Sequence, residues 1–549
     1  MDTKRLILFV IFSFSILMLW DAWQRQHAPL PEAAGTHQSI DGSIPQAVTQ
    51  QTAKSVAEPP KESGFQLQTG QRIKVETDLF KADIDTIGGD LRKLELTHHR
   101  AANDSGENFV LMDDRAAPVL YVAQSGLIGN NLPTHKTPFT STASSYQLQA
   151  GSDQLQVRLS WQGDNVQVDK VYIFHRGSYA IDVAYEIHNT GTAPIQPSVY
   201  YQIVHDTESN QGSRMMPTFT GGAYFTEADK YKKLSFKDMG KANLSKNTKD
   251  GWVGLVQHYF VGAWIPQTNL PREFYTKQLS DKIYSIGTVS PLGTIAPGAS
   301  LAVAAKLYAG PQTHKDLLAT APGLEYTVDY GWLTVIATPL FWVLSAIEKL
   351  VHNWGVAIIL LTVLIKLAFY PLSAASYRSM AHMREMAPRL QRLKEQYGDD
   401  RQKLQQAMME LYKTEKINPM GGCLPILVQI PVFISLYWVL LGTVELRHAP
   451  FVLWIHDLSA VDPYYVLPLL MGATMIIQSR LNPTPPDPIQ AKVMMIMPVV
   501  FSVFFFFFPA GLVLYWLVNN ILSIAQQWHI NRSSERAAAA RKKGNAVRR

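Results

Sequence analysis

Apolar residues crowd the two ends of the chain, and the pattern between them is that of ordinary folded sequence. Behind Lys4-Arg5, residues Leu6 to Trp20 run without a charge. As a helix, Leu6 to Trp23 covers about 27 Å at 1.5 Å per residue, close to the thickness of a bilayer core. Asp21, Trp23 and Gln24 stand where a cleavage site needs small residues, so residues 1–27 read as an uncleaved signal-anchor. Residues 28–63 are rich in Pro, Ala, Gln, Ser and Thr and hold too little apolar area to offset the entropy of ordering. They are expected to form a disordered linker.

From 64 to 330 the apolar period becomes two. Val157-Arg158-Leu159-Ser160-Trp161 and Val166-Gln167-Val168 flank Gly163-Asp164-Asn165, and Ile181 to Ile187 alternates throughout. Many short strands joined by Gly/Asn/Asp turns predict a large antiparallel β-sandwich. After it, residues 331–353 carry an amphipathic stretch around Trp342–Val351, expected at the membrane interface. Long apolar blocks follow at Trp354–Leu372, Gly421–Gly442, Tyr464–Ser479, Val493–Phe508 and Gly511–Gln527, expected as five spanning helices within 354–528. With the leading anchor they make six. The basic tail is 529–549.

The net charge of +6 would suit nucleic acid if it formed one basic face. Instead the cations lie beside the apolar blocks, which is the pattern of membrane topology. Arg378, Arg389, Arg392, Lys394 and Lys403 fill the connection 374–418, and Arg541, Lys542, Lys543 and Arg549 crowd the tail. Thr443–Pro463 has Arg447 against Glu445, Asp457 and Asp462. The expected topology puts both termini and the 374–418 connection in the cytoplasm, with the β domain outside. That connection reads as a helical hairpin broken at Gly398-Asp399-Asp400, with Met380, Met383, Met386, Met408 and Met409 as adaptable apolar contacts.

Candidate chemistry is confined to polar residues inside the apolar blocks. Lys366 is an ionisable group within a spanning segment, which insertion scales set at roughly 2.5–3.5 kcal/mol. Thr362 lies one turn before it. Tyr515, Asn519 and Ser523 repeat every four residues along the last block, and Gln429 lies midway along another. These side chains could line one polar cavity. The alternatives are a snorkelling Lys366 and polar glue between helices. HExxH, GxSxG and GxxxxGK[ST] are missing, and the single cysteine, Cys423, excludes a disulfide framework and a CxxC site. No enzyme activity, metal or cofactor is expected. His98, His99, His175 and His258 are scattered singly among strands.

Asn418-Pro419-Met420-Gly421-Gly422-Cys423-Leu424-Pro425, Gln429-Ile430-Pro431-Val432-Phe433, Trp454-Ile455-His456-Asp457-Leu458, Asp462-Pro463-Tyr464-Tyr465 and Phe508-Pro509-Ala510-Gly511 through Trp516 closely resemble the YidC membrane protein insertases of Gram-negative bacteria. The resemblance runs from about Trp332 through Trp528. It implies an α-helical polytopic membrane protein with a five-helix insertase core and a periplasmic antiparallel β-supersandwich, the fold shared with sugar mutarotases. It also implies a hydrophilic groove open to cytoplasm and lipid but closed to the periplasm. Lys366 stands at the groove cation, with Thr362, Gln429, Asn519, Ser523 and Tyr515 on the walls. Phe433, Leu436, Phe504 and Trp516 would face the path along which an apolar helix slides into lipid. Relatives mostly carry arginine at the groove cation; lysine keeps the charge and loses the fixed fork. The implied partners are nascent membrane proteins, the Sec translocon, ribosomes and targeting components, and anionic phospholipids. A small-solute transporter or channel is the main rival, and a carbohydrate-modifying β domain the third reading.

Overall fold

The computed structural model describes residues 44–45, 67–101, 106–115, 120–207, 218–398, 400–415, 424–481 and 488–547. The expected signal-anchor and nearly all of the expected linker lie outside them, as does Asn418–Cys423. The chain divides into two compact units, one of β structure ending at Val328 and one of helices from Asp329 onward.

In the β unit, period-two alternation becomes two stacked sheets of ten and nine strands. Ala180–Asn189 buries every second side chain, and it pairs on one side with Val166–His175 and on the other with Ser300–Pro311. Its inward residues Ile181, Val183, Tyr185 and Ile187 join Trp252, Trp264 and Tyr308 in one core between the sheets. Burial of such side chains contributes about 1.5–3 kcal/mol each. Among the described strands the pairing is antiparallel with one exception, Arg72–Glu76 beside Ser145–Gln147, which is parallel.

The sandwich also encloses a charge cluster that the sequence pattern conceals. Lys170, inward on Val166–His175, reaches across to the opposite sheet, where its ammonium donates to the carbonyls of Gly88 (2.9 Å) and Ser125 (3.4 Å). It lies 3.6 Å from Asp90, and both side chains are fully buried. Gln124 donates to Asp90, and Gln202 donates to Gln124. Burial outweighs the attraction between the partners: it pulls the Lys170 ammonium down to about 8 and pushes the Asp90 carboxyl up.

In the helical unit the boundaries follow capping chemistry. The Asn353 side chain accepts from the Val356 N–H and opens the Lys366 helix, Trp354–Ala368. That helix ends four residues before the expected Leu372, because Pro371 lacks the N–H that would donate to the Leu367 carbonyl and its ring crowds that carbonyl, whereas the first turn of a new helix tolerates it. The next helix, Tyr370–Tyr397, leaves at 66° and forms a hairpin with Arg401–Thr414. Asp400 begins the second arm by accepting from the N–H groups of Gln402 and Lys403. Three apolar helices follow, Leu424–Gly442, Val466–Leu481 and Pro488–Phe505, and the last helix, Ala510–Val547, continues into the basic tail.

The spanning pattern is coarser than six equal helices. Among the described helices, Thr334–Val351 alone is long and apolar enough to cross a bilayer by itself, although its stretch was expected at the interface. Its Val335, Trp342 and Leu350 face outward. The bent pair Trp354–Ala368 and Tyr370–Met383 qualifies jointly, and the apolar stretches Gln429–Gly442, Val466–Leu481 and Met495–Phe505 are shorter. At 15 residues, Trp354–Ala368 measures about 22 Å.

Candidate functional site

The apolar run from Trp354 to Ala368 folds as helix with one polar stripe, and Thr362 and Lys366 both lie on its buried side. The Lys366 ammonium donates to Ser523 Oγ at 2.8 Å, a contact between residues 157 positions apart. The Ser523 hydroxyl donates in turn to the Asn519 carbonyl at 2.7 Å, and Tyr377 at the base of the hairpin hydrogen-bonds the same hydroxyl. Lys366 is 9% exposed, and among the described residues no carboxylate pairs with it. A buried cation held by one hydroxyl keeps most of its electrostatic capacity for an incoming anion.

The other expected wall residues divide. Thr362 is 1% exposed and donates to its own helix, to the Ile358 carbonyl at 2.6 Å. Asn519 reaches the site through its backbone carbonyl. No hydrogen bond within the described residues links Gln429 to Lys366. Tyr515 heads the four-residue series on the last helix, yet its ring stacks on Phe433, with centroids 5.7 Å apart.

That stacking begins an aromatic cluster. Phe433 meets Trp516 edge-on at 4.4 Å, and Trp516 meets Phe505 at 5.3 Å. Phe504 is exposed and lies 4.8 Å from Phe508. Leu436, which the resemblance sets on the sliding path, is fully buried.

Sequence reasoning missed Tyr377, Phe505, Phe508 and Gln527. Gln527 caps the Leu481 carbonyl at 3.1 Å, closing the end of Val466–Leu481. Asn520 is 4% exposed, and its side-chain amide nitrogen has no hydrogen-bond partner among the described residues. The four-residue polar repeat pointed at this helix; the partner positions, in distant parts of the chain, had no local signal.

In the β unit, a cleft of about 460 Å³ opens beside Ser198, Asn247, Thr248, Lys249 and Glu273. Arg272 in its wall is committed to the backbone carbonyls of Leu270, Gly251, Pro266, Lys249 and Gln267. Among the described residues, Glu273 is the one carboxylate lining the cleft.

Two family models match the chain, the YidC periplasmic domain over residues 72–343 and the 60Kd inner membrane protein over residues 346–537. The membrane protein insertase YidC of Methylobacillus flagellatus is 74% identical, with 100% of each chain covered. That of Nitrosospira multiformis is 53% identical, with 98% of each covered. That of Aromatoleum aromaticum is also 53% identical, over 97% of this chain and 98% of the relative.

Proposed function

The chain belongs to the YidC family of membrane protein insertases, and on that premise we propose that Lys366 guides the hydrophilic flank of an entering membrane protein through a polar groove in the helical unit. The protein is an inner membrane insertase with a periplasmic domain, and nascent membrane proteins are its substrates. A small-solute transporter is not favoured by these relatives.

A substrate's polar flank must cross roughly 30 Å of hydrocarbon. Short helices thin the bilayer around them, and a polar cavity reaching part-way shortens the journey further. Lys366 attracts acidic residues of the flank for as long as they pass. The apolar segment leaves sideways past Phe433, Phe504 and Trp516, driven by burial of its apolar surface in lipid. No nucleotide is required. The observation that carries this reading is the buried ammonium of Lys366 with a hydroxyl for a partner and no described counter-ion.

The charge pattern supports the topology as a proposal. The hairpin and basic tail face the cytoplasm, where they receive ribosomes, targeting components and anionic lipid, and Thr443–Pro463 faces the periplasm. Work with the Sec translocon belongs to the same reading.

The test is depletion in the native host, with a small membrane protein bearing an acidic periplasmic flank as substrate. Wild type, Lys366→Arg and Lys366→Ala are compared for rescue, and protease protection of the flank reports insertion. Rescue by arginine and failure of alanine is expected. Full rescue by alanine would reduce Lys366 to a packing residue and sink the electrostatic part.

A further inference from the structure

The connection between Leu424–Gly442 and Val466–Leu481 is organised around one carboxylate. Asp462 is fully buried, and among the described residues it pairs with no cation. Three N–H groups hold its charge instead. The Trp454 indole and the Tyr464 backbone donate to one oxygen at 3.0 Å each, and the Leu467 backbone donates to the other at 2.8 Å. Leu467 lies in the first turn of its helix, so the carboxylate closes that N-terminus and ties it to Trp454.

The residues around Asp462 are stitched to the turn that begins the last helix. Ala510 N–H donates to the Ala460 carbonyl at 2.7 Å, Gly511 N–H donates to the Leu458 carbonyl at 2.9 Å, and Val461 bridges Pro509. The far end of the loop is held by Asn353, whose amide donates to the Phe451 carbonyl at 3.0 Å while its carbonyl oxygen caps the Lys366 helix. Gly355 is needed here, because a Cβ on it would lie 2.1 Å from the Phe451 ring. One loop thus closes the N-termini of three helices. Lys366 lies on the far side, about 20 Å of helix from Asn353.

We propose that Asp462 is the positioning residue of a seal: by ordering Leu458–Pro463 against Pro509–Gly511, it stops a groove that is wet around Lys366 from becoming a through-path for ions. This rests on the groove reading above. Only a carboxylate offers acceptors to all three donors, since asparagine would turn one oxygen into an amino group facing an N–H.

The test uses the purified full chain in vesicles of phosphatidylethanolamine and phosphatidylglycerol. A trapped pH dye reports proton entry driven by a valinomycin potassium potential. Wild-type vesicles should hold the gradient as empty ones do. Asp462→Ala should leak about tenfold faster or more, the factor that one hydrogen bond to a charged group commonly represents in an equilibrium. Asp462→Asn should fall between the two, and Trp454→Phe, which keeps the ring and removes one donor, should show a smaller rise. If Asp462→Ala fails to accumulate, the other two variants decide. Wild-type leak rates in Asp462→Asn and Trp454→Phe, with both proteins assembled, would overturn the seal. Failure of the electrostatic part of the groove reading shows separately, as full rescue by Lys366→Ala in the depletion experiment.

Discussion

Replacing Lys170 by methionine removes a buried ammonium while keeping most of the volume. At 3.6 Å from Asp90 and an effective dielectric of about 20, the lost attraction is roughly 4.6 kcal/mol. The substitution also relieves the burial of the ammonium. It leaves Asp90 buried beside Arg92, 3.4 Å away, and Gln124. Measured losses for a broken buried pair run to about 3–5 kcal/mol, and Arg92 places this one near the lower end. We therefore expect Lys170→Met to destabilise the β unit by about 3 kcal/mol. Asp90→Leu should be worse, because it leaves Lys170 and Arg92 as buried like charges. The double substitution should recover part of the loss of Asp90→Leu, since it removes the like charge of Lys170, although Arg92 stays buried without Asp90. The assay is urea unfolding of residues 67–328, followed through the buried Trp252 and Trp264. A single-variant loss below about 1 kcal/mol, or a double variant no better than the sum of the singles, would refute the assignment of the cluster as a coupled ion pair.

The same lysine gives a pH signature. Burial lowers its pKa to about 8, from 10.5 in the unfolded chain, so between these values the unfolded state holds a proton that the folded state lacks. Stability from this group therefore rises with pH across that window, by at most about 1.4 kcal/mol per unit, and falls away as pH drops through 8; unfolding at a series of pH values should show the rise in wild type and not in Lys170→Met. At the groove, Ser523→Ala should slow insertion of an acidic flank more than Thr362→Ala does, because Ser523 holds Lys366 whereas Thr362 bonds only its own helix; equal effects in pulse-chase protease protection would contradict the geometry. Phe433→Ala strips contacts from both Tyr515 and Trp516 and should lower stability in detergent by about 2–3 kcal/mol. A thermal scan with an unchanged midpoint would count against the aromatic cluster.

How much was legible beforehand depends on how far apart the cooperating residues lie. Ile181 to Ile187 announces its own strand, because each side chain's face follows from its neighbours. The apolar blocks after residue 331 announce helices, because a lipid-facing backbone must satisfy its hydrogen bonds within the segment. The hairpin break at Gly398–Asp400 is equally local, set by a glycine and an N-capping aspartate. Helix ends were less legible: Trp354–Ala368 stops short of Leu372 because Pro371 restarts the chain in a new direction.

What the sequence by itself determined is therefore the division into a β-rich periplasmic unit and a helical membrane unit, the family motifs, and the presence of a lysine among apolar neighbours. Period, cap and charge all act over a few residues. Tertiary structure alone decided which polar groups meet. It set Lys366 on Ser523 across 157 positions, turned Tyr515 toward Phe433 and Leu436 inward, and joined Lys170 to Asp90 through the sandwich. Such contacts depend on how whole elements pack, and no short window of sequence encodes the partner's position. A buried charge makes the distinction sharp: its identity is written locally, but its energy is set by the groups that fold around it.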